Sequence, residues 1–231
     1  MDTEATLVIV PAFDEQDSVG DVVHRVRAVG LPCLVVDDGS VDATADKAQA
    51  AGAIVVRMPV NTGVGGALRA GFRYAVAHGF RRVVQVDADL QHPPEAVPDL
   101  LAALDAGAQL AIGSRFADGY EVGTARRWAM RFLAFVVRLR TGVMLDDVTS
   151  GFRAVSEPLL SVFAYRFPAE YLGDTVEAIL MAHATGAAIS QVPVPMAPRR
   201  HGEATPSLRA GGHLARLVVA LIAGKPSEMA R

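Results

Sequence analysis

The sequence has a single cysteine, Cys33, in 231 residues. One thiol excludes an internal disulfide and any zinc or iron–sulfur centre built from several cysteines, and it is compatible with a reducing compartment. A strong charge of either sign is also missing. Lys and Arg number 22 against 25 Asp and Glu, a formal charge of −3, so a protein-wide basic footprint for nucleic acid is absent. Long apolar runs are lacking too, although mean hydropathy is high at +0.29. Leu214–Ala223 is interrupted by Arg216, and Trp128–Leu145 contains Arg131, Arg138 and Arg140, whereas a membrane span needs roughly 20 unbroken residues. The start, MDTEATLVIVPAFDE, is acidic and reaches a proline too soon for a signal peptide. The six histidines show no metal-binding spacing such as HxxxH. No repeat, low-complexity tract or linker is evident.

What remains is 51% hydrophobic and 20% charged, enough for a sizeable core and too apolar for wholesale disorder. In the first half, short β-branched runs alternate with helical spacings. Strands are expected at 6–11, 33–37, 53–58, 82–87 and 109–114. Helices are expected at 18–29 (with Ser18 as cap), 44–51 (with Asp42 as cap), 66–77 and 94–106. Strands separated by helices in this way imply βαβ units and a mostly parallel sheet flanked by helices. The second half is less regular: a long basic helix at 124–140, a short strand at 150–155, a helix at 172–185, a strand at 188–195, a polar loop at 198–206 and an amphipathic helix at 207–223. The expected organisation is one domain over 1–231. Its first half covers about 1–115, its second half about 116–206, and the terminal helix about 207–224.

In a parallel α/β sheet the ligand crevice lies past the carboxyl ends of the strands. Asp87, Asp89 and Gln91 follow the fourth strand at alternate positions, which in an extended segment face one side. Two carboxylates and an amide oxygen form a hard oxygen set suited to Mg²⁺ or Mn²⁺; the same Asp residues would also serve as helix caps. Asp37 and Asp38 follow the second strand. A turn explains Gly39, Ser40 and Asp42 but not two adjacent carboxylates, which could accept hydrogen bonds from a ribose hydroxyl or a base edge. The glycine-rich stretch 61–71 precedes a helix but has neither the spacing nor the Lys of a Walker loop. A tight turn explains it equally well. Arginines gather late: Arg115, Arg126, Arg127, Arg131, Arg153, Arg199 and Arg200. Arg115 and Arg200 lie in turn-like segments suited to gripping phosphate; solvated positions are expected for Arg138 and Arg140. His92 and His201 are expected to be exposed polar residues.

Taken in order, VIVPAFDE, VVDDGSVDAT, NTGVGGALRAGF, QVDADLQHPPE, IGSRF and DVTSGFRAV resemble a family 2 glycosyltransferase of the Rossmann-like GT-A fold, nearest to the dolichyl- or polyprenyl-phosphate sugar synthases. The likeness covers about residues 5–205, and it implies that the half at about 1–115 binds the nucleotide and the half at about 116–206 the acceptor. It implies a donor linked to GDP or UDP, a divalent metal (Mg²⁺ or Mn²⁺), and inversion at the anomeric carbon. Pro11, Ala12, Phe13 and Glu15, with Asp37 or Asp38, would hold base and ribose, and Asp87 and Ala88 would meet the nucleotide sugar. Asp87, Asp89 and Gln91 would hold the metal. Asp89, Arg115 and Arg200 would carry the chemistry, and Arg115, Arg127 and Arg131 would receive an acceptor phosphate. Such an acceptor, a polyprenyl phosphate lipid, is already an anion and needs positive charge rather than a base. A soluble hydroxyl acceptor would need a general base, for which Asp147, Asp174 and Glu177 are the candidates. A third reading is a nucleotide-sugar-binding subunit whose partner supplies a membrane anchor. Two departures bear on the acceptor. Met130 stands where relatives often have Ser, and Asp174 stands near a Lys common in them. A cytoplasmic protein, peripheral on the membrane face, is expected.

Overall fold

A computed structural model describes residues 5–114, 124–168 and 173–195. The elements run β1 (Thr6–Ala12), α1 (Val19–Ala28), β2 (Cys33–Asp37), α2 (Thr44–Ala50), β3 (Ile54–Arg57), α3 (Val64–Ala77), β4 (Arg82–Gln85), α4 (Val97–Asp105), β5 (Leu110–Ser114), α5 (Thr124–Thr141), β6 (Arg153–Ser156), α6 (Leu159–Arg166), α7 (Gly173–Ala184) and β7 (Ile189–Pro193). The seven strands form one sheet in the order β3-β2-β1-β4-β6-β5-β7. All pairings are parallel except those of β6, which runs against both β4 and β5.

The alternation of side chains along each strand explains why helices cover both faces. On β1 and β2, Leu7, Ile9, Leu34 and Val36 face a layer with Leu68 and Phe72 of α3 and Phe163 of α6. Val8, Val10, Cys33 and Val35 face the opposite layer, with Val22 and Val26 of α1 and Leu100 and Leu104 of α4. Gly71 lets α3 lie close to β1: a Cβ there would come 2.7 Å from Cγ2 of Ile9.

The α/β architecture matches the sequence expectation, with four local differences. Ser18 begins α1 but does not cap it; its hydroxyl donates to Glu15 Oε2 at 2.8 Å. The helix expected at 94–106 opens as a short 3₁₀ turn, Pro94–Ala96, before α4. β4 ends at Gln85, two residues before Asp87. Helix α6 is new. It is short and has Pro158 rather than a capping side chain at its start, so it carries no start signal, although its buried Leu159, Leu160, Phe163 and Ala164 have helical spacing. The helix expected at 207–223 and the loop at 198–206 lie outside the described residues. Among the described residues no helix is long and apolar enough to cross a membrane.

Candidate nucleotide-sugar and metal site

The sheet reverses its winding between β1 and β4: β2 and β3 extend from one side of β1, and β4 flanks the other. In open α/β sheets a ligand crevice forms at such a switch point, outside the carboxyl ends of the strands. The loops that follow β1, β2 and β4 carry most of the candidate residues.

The first two loops are laced together. Ala12 pairs with Asp37 across β1 and β2. The Asp14 amide donates to Ser40 Oγ (2.9 Å), and the Val41 amide donates back to Asp14 Oδ1 (3.0 Å). The Glu15 amide donates to Thr44 Oγ1 (2.8 Å) and the Gln16 amide to Asp42 Oδ2 (3.2 Å). Asp14 takes a positive φ of 54°, which Asp tolerates better than most residues. Asp42 does not sit at the N-cap position, which Ala43 occupies. It caps from one residue earlier, taking the Thr44 amide (2.9 Å) and hydroxyl on Oδ1. Burial alone would raise its pKa, but the donors from Thr44 and Gln16 prevail and hold it below the usual carboxylate value. Pro11 and Ala12 end the strand, and Phe13 stands exposed beyond them.

Asp37 and Asp38 are both buried. Asp37 Oδ1 accepts the Ser40 amide (3.1 Å). Asp38 Oδ1 accepts the Thr62 amide (2.9 Å) and hydroxyl (2.7 Å), tying β2 to the glycine-rich loop. Gly39 is needed for this closure: its φ is +79°, and a Cβ there would lie 2.9 Å from the backbone of Val60 and Asn61. The glycine-rich stretch therefore contributes a turn that is anchored to Asp38.

The residues after β4 form a turn rather than an extended segment, so the alternation argument for Asp87, Asp89 and Gln91 does not describe how they come together. Leu90 holds φ at +65°, a strained conformation for a non-glycine residue. Asp89 is buried; its Oδ1 accepts the Gln91 amide (3.0 Å) and its Oδ2 the Gln91 side-chain N–H. Ala88 is buried between the two acids. Asp87 is partly open, and Gln85 Nε2 donates to its Oδ1 (3.3 Å).

His92 departs from the exposed role expected of it. It is buried and stacked on Phe152 with ring centroids 5.2 Å apart. Its Nδ1 accepts the Asp87 amide at 3.0 Å, which leaves the proton on Nε2, 3.5 Å from Asp87 Oδ2. Gln85, His92, Phe152 and Gly151 are the residues sequence reasoning missed here. The signal that could have found His92 was its place directly after Gln91.

Asp87 and Asp89 fit a divalent cation. Gln85 Oε1 is buried without a partner. Beside it, a Cβ at Gly151 would lie 3.1 Å from Gln85 Nε2 and 3.3 Å from an Asp87 oxygen, so the glycine keeps the space by Asp87 open. Among the described residues no three His, Cys, Asp or Glu side chains gather as a metal cage. Mg²⁺ commonly needs only one or two carboxylates when a substrate supplies phosphates. Gln91 donates to Asp89 and so orients that carboxylate.

Asp147 is buried, and its Oδ1 is taken by the Thr149 amide (3.0 Å) and hydroxyl (2.9 Å). Glu177 lies on α7. Met130 is buried on the inner side of α5, and Arg131 is exposed on its outer side. Arg115, Arg199, Arg200 and His201, with the side chains of Arg126, Arg127 and Asp174, lie outside the described residues.

Residues 7–160 match the family model described as Glycosyl transferase family 2. Over 172 residues the chain is 39% identical to the polyprenol monophosphomannose synthase of Mycolicibacterium smegmatis, covering 68% of this chain and 64% of that one. It therefore spans less than two thirds of that relative's length. It is 32% identical to the undecaprenyl-phosphate mannosyltransferase of Micrococcus luteus, covering 92% and 90%. Among solved structures, glucosyl-3-phosphoglycerate synthase from Mycobacterium tuberculosis, in complex with Mg²⁺ and UDP, superposes with a TM-score of 0.73 at 27% identity, covering 94% and 78%.

Proposed function

Because the chain belongs to glycosyl transferase family 2, we propose that it transfers a sugar, with inversion, from a nucleoside-diphosphate sugar to a polyprenyl phosphate. The observation that carries this reading is the Asp87–Asp89 turn at the switch point of the sheet, beside the laced loops of β1 and β2. The names of two relatives, a polyprenol monophosphomannose synthase and an undecaprenyl-phosphate mannosyltransferase, support the acceptor.

In this reading Pro11, Ala12, Phe13 and Glu15 hold base and ribose. Asp38 acts chiefly by fixing the loop that carries Thr62. Asp87 and Asp89 hold Mg²⁺ or Mn²⁺, with Gln91 and His92 orienting the two carboxylates. A divalent ion bound there supplies Lewis-acid neutralisation of the diphosphate. An oxygen of the lipid phosphate attacks the anomeric carbon, and the bond to the diphosphate breaks on the opposite face. The electron pair leaves with the nucleoside diphosphate. Arg115, Arg127 and Arg131 bring the anionic acceptor towards the anionic donor, and Arg200 meets the charge that develops on the leaving group. No base is required, because the nucleophile is already ionised.

Transfer to a small soluble acceptor is the second reading. It is favoured by the likeness to glucosyl-3-phosphoglycerate synthase, one of whose structures holds UDP-glucose, Mn²⁺ and phosphoglyceric acid.

A thermal-shift screen of GDP- and UDP-sugars with Mn²⁺ identifies the donor, since bound ligand stabilises by mass action. With that donor, a polyprenyl phosphate yields a glycolipid of inverted anomeric configuration, and EDTA stops its formation. Retention of configuration, or turnover indifferent to EDTA, contradicts the mechanism.

A further inference from the structure

Helix α5 is apolar on two opposite sides. At 3.6 residues per turn, Leu133 and Val137 fall on one side, where they are buried in the layer shared with α3, α6 and α7. Trp128, Phe132, Phe135 and Leu139 follow at steps of four, three and four on the other side. They are 73%, 51%, 54% and 69% exposed and make a stripe about 16 Å long. Met144, just past the helix, is exposed as well.

Charge along this helix has one sign. Its sequence, TARRWAMRFLAFVVRLRT, holds five arginines and no acid, in a chain whose formal charge is −3. Arg131 and Arg138 are exposed, each three residues after an aromatic of the stripe. The Arg131 guanidinium lies 6.0 Å from the centre of the Trp128 ring. The outward face of a soluble globular helix is ordinarily polar. An aromatic stripe edged by arginine alone is instead complementary to a bilayer with anionic headgroups: rings at the acyl boundary and guanidinium groups among phosphates.

We propose that the outer face of α5 is a docking surface for an anionic lipid bilayer. The role this docking would play, presenting the site to a membrane-borne acceptor, rests on the function proposed above. The binding itself does not. Helix α5 starts ten positions after the last residue of β5.

Trp128 is the only tryptophan in the chain, so its fluorescence reports on this face directly. The full chain is titrated with vesicles of phosphatidylcholine alone and of phosphatidylcholine mixed with phosphatidylglycerol. The mixed vesicles should shift Trp128 emission to the blue and sediment the protein, and high salt should reverse both effects. Phosphatidylcholine alone should do neither. Arg138→Glu should weaken vesicle binding roughly tenfold or more and leave turnover of a short, water-soluble polyprenyl phosphate unchanged. Phe135→Asp should do the same, with its melting temperature checked against the parent. Unresponsive emission, or binding that survives both substitutions, overturns the proposal. So does a concentration-dependent oligomer that Leu139→Asp dissolves, which would assign the stripe to a second copy. Vesicle binding without glycolipid synthesis leaves this surface intact and removes the proposed acceptor. Synthesis without vesicle binding does the reverse.

Discussion

At the residue scale, two buried side chains around Asp87 make separable predictions. Asp89→Asn keeps the shape of the turn but removes a charge, and turnover should fall by about 100-fold or more with an unchanged circular dichroism spectrum. His92 contacts Asp87 through both its backbone amide and its carboxylate. His92→Ala should weaken Mn²⁺ binding about 10- to 100-fold, as loss of an orienting partner does, read by metal titration of the protein without substrate. His92→Phe keeps a ring against Phe152 and should recover stability without recovering metal affinity. The Cys33 thiol, buried in β2, is pushed up from 9.0 to about 12 by burial. Below about pH 9 neither folded nor unfolded chain ionises it, so it contributes no pH dependence. Above that, the unfolded chain releases the proton and the folded chain does not, so stability should fall as pH rises. Urea midpoints at rising pH check this, and Cys33→Ala should flatten the slope. The acids at the strand ends were legible because carboxylates directly after apolar β-branched runs have no packing reason to be there. The burial of His92 was not, because it depends on Phe152, sixty residues away.

At the scale of elements, the contact between α3 and β1 sets how closely the glycine-rich segment approaches the sheet. Gly71→Ala would press a methyl into Ile9 and should cost about 1–3 kcal/mol. In α1, Gly20 has open space where a Cβ would stand and an ordinary φ; Gly20→Ala should be neutral or stabilise by up to about 1 kcal/mol. Urea denaturation of both variants measures the contrast. The βαβ alternation of the first half could be read from the sequence because each helix repeats its apolar positions with a clear period and each strand is a short β-branched run. Helix α6 escaped because eight residues between two prolines carry two turns of pattern and no cap. The turn at Leu90 escaped because leucine gives no local warning of a positive φ; surrounding packing imposes it.

For the whole molecule, the mostly parallel sheet followed from the order of its elements, but its lateral arrangement did not. Strand β6 enters between β4 and β5 and runs against both, a pairing fixed by contacts across some seventy residues of chain. That insertion places Gly151 and Phe152 beside Asp87 and His92, so part of the candidate site depends on topology that local pattern cannot express. The proposed docking of the exposed stripe on α5 would bring Arg131 to a bilayer surface, where lipid phosphates lie.

The acceptor proposed for this chain is a lipid phosphate. The most direct measurement places a short polyprenyl phosphate and 3-phosphoglycerate together with the stabilising nucleotide sugar and Mn²⁺, and follows both products by mass spectrometry. The polyprenyl phosphate should gain one hexose while the phosphoglycerate remains unmodified. Hexose on the phosphoglycerate, with the lipid untouched, would contradict a lipid-phosphate acceptor.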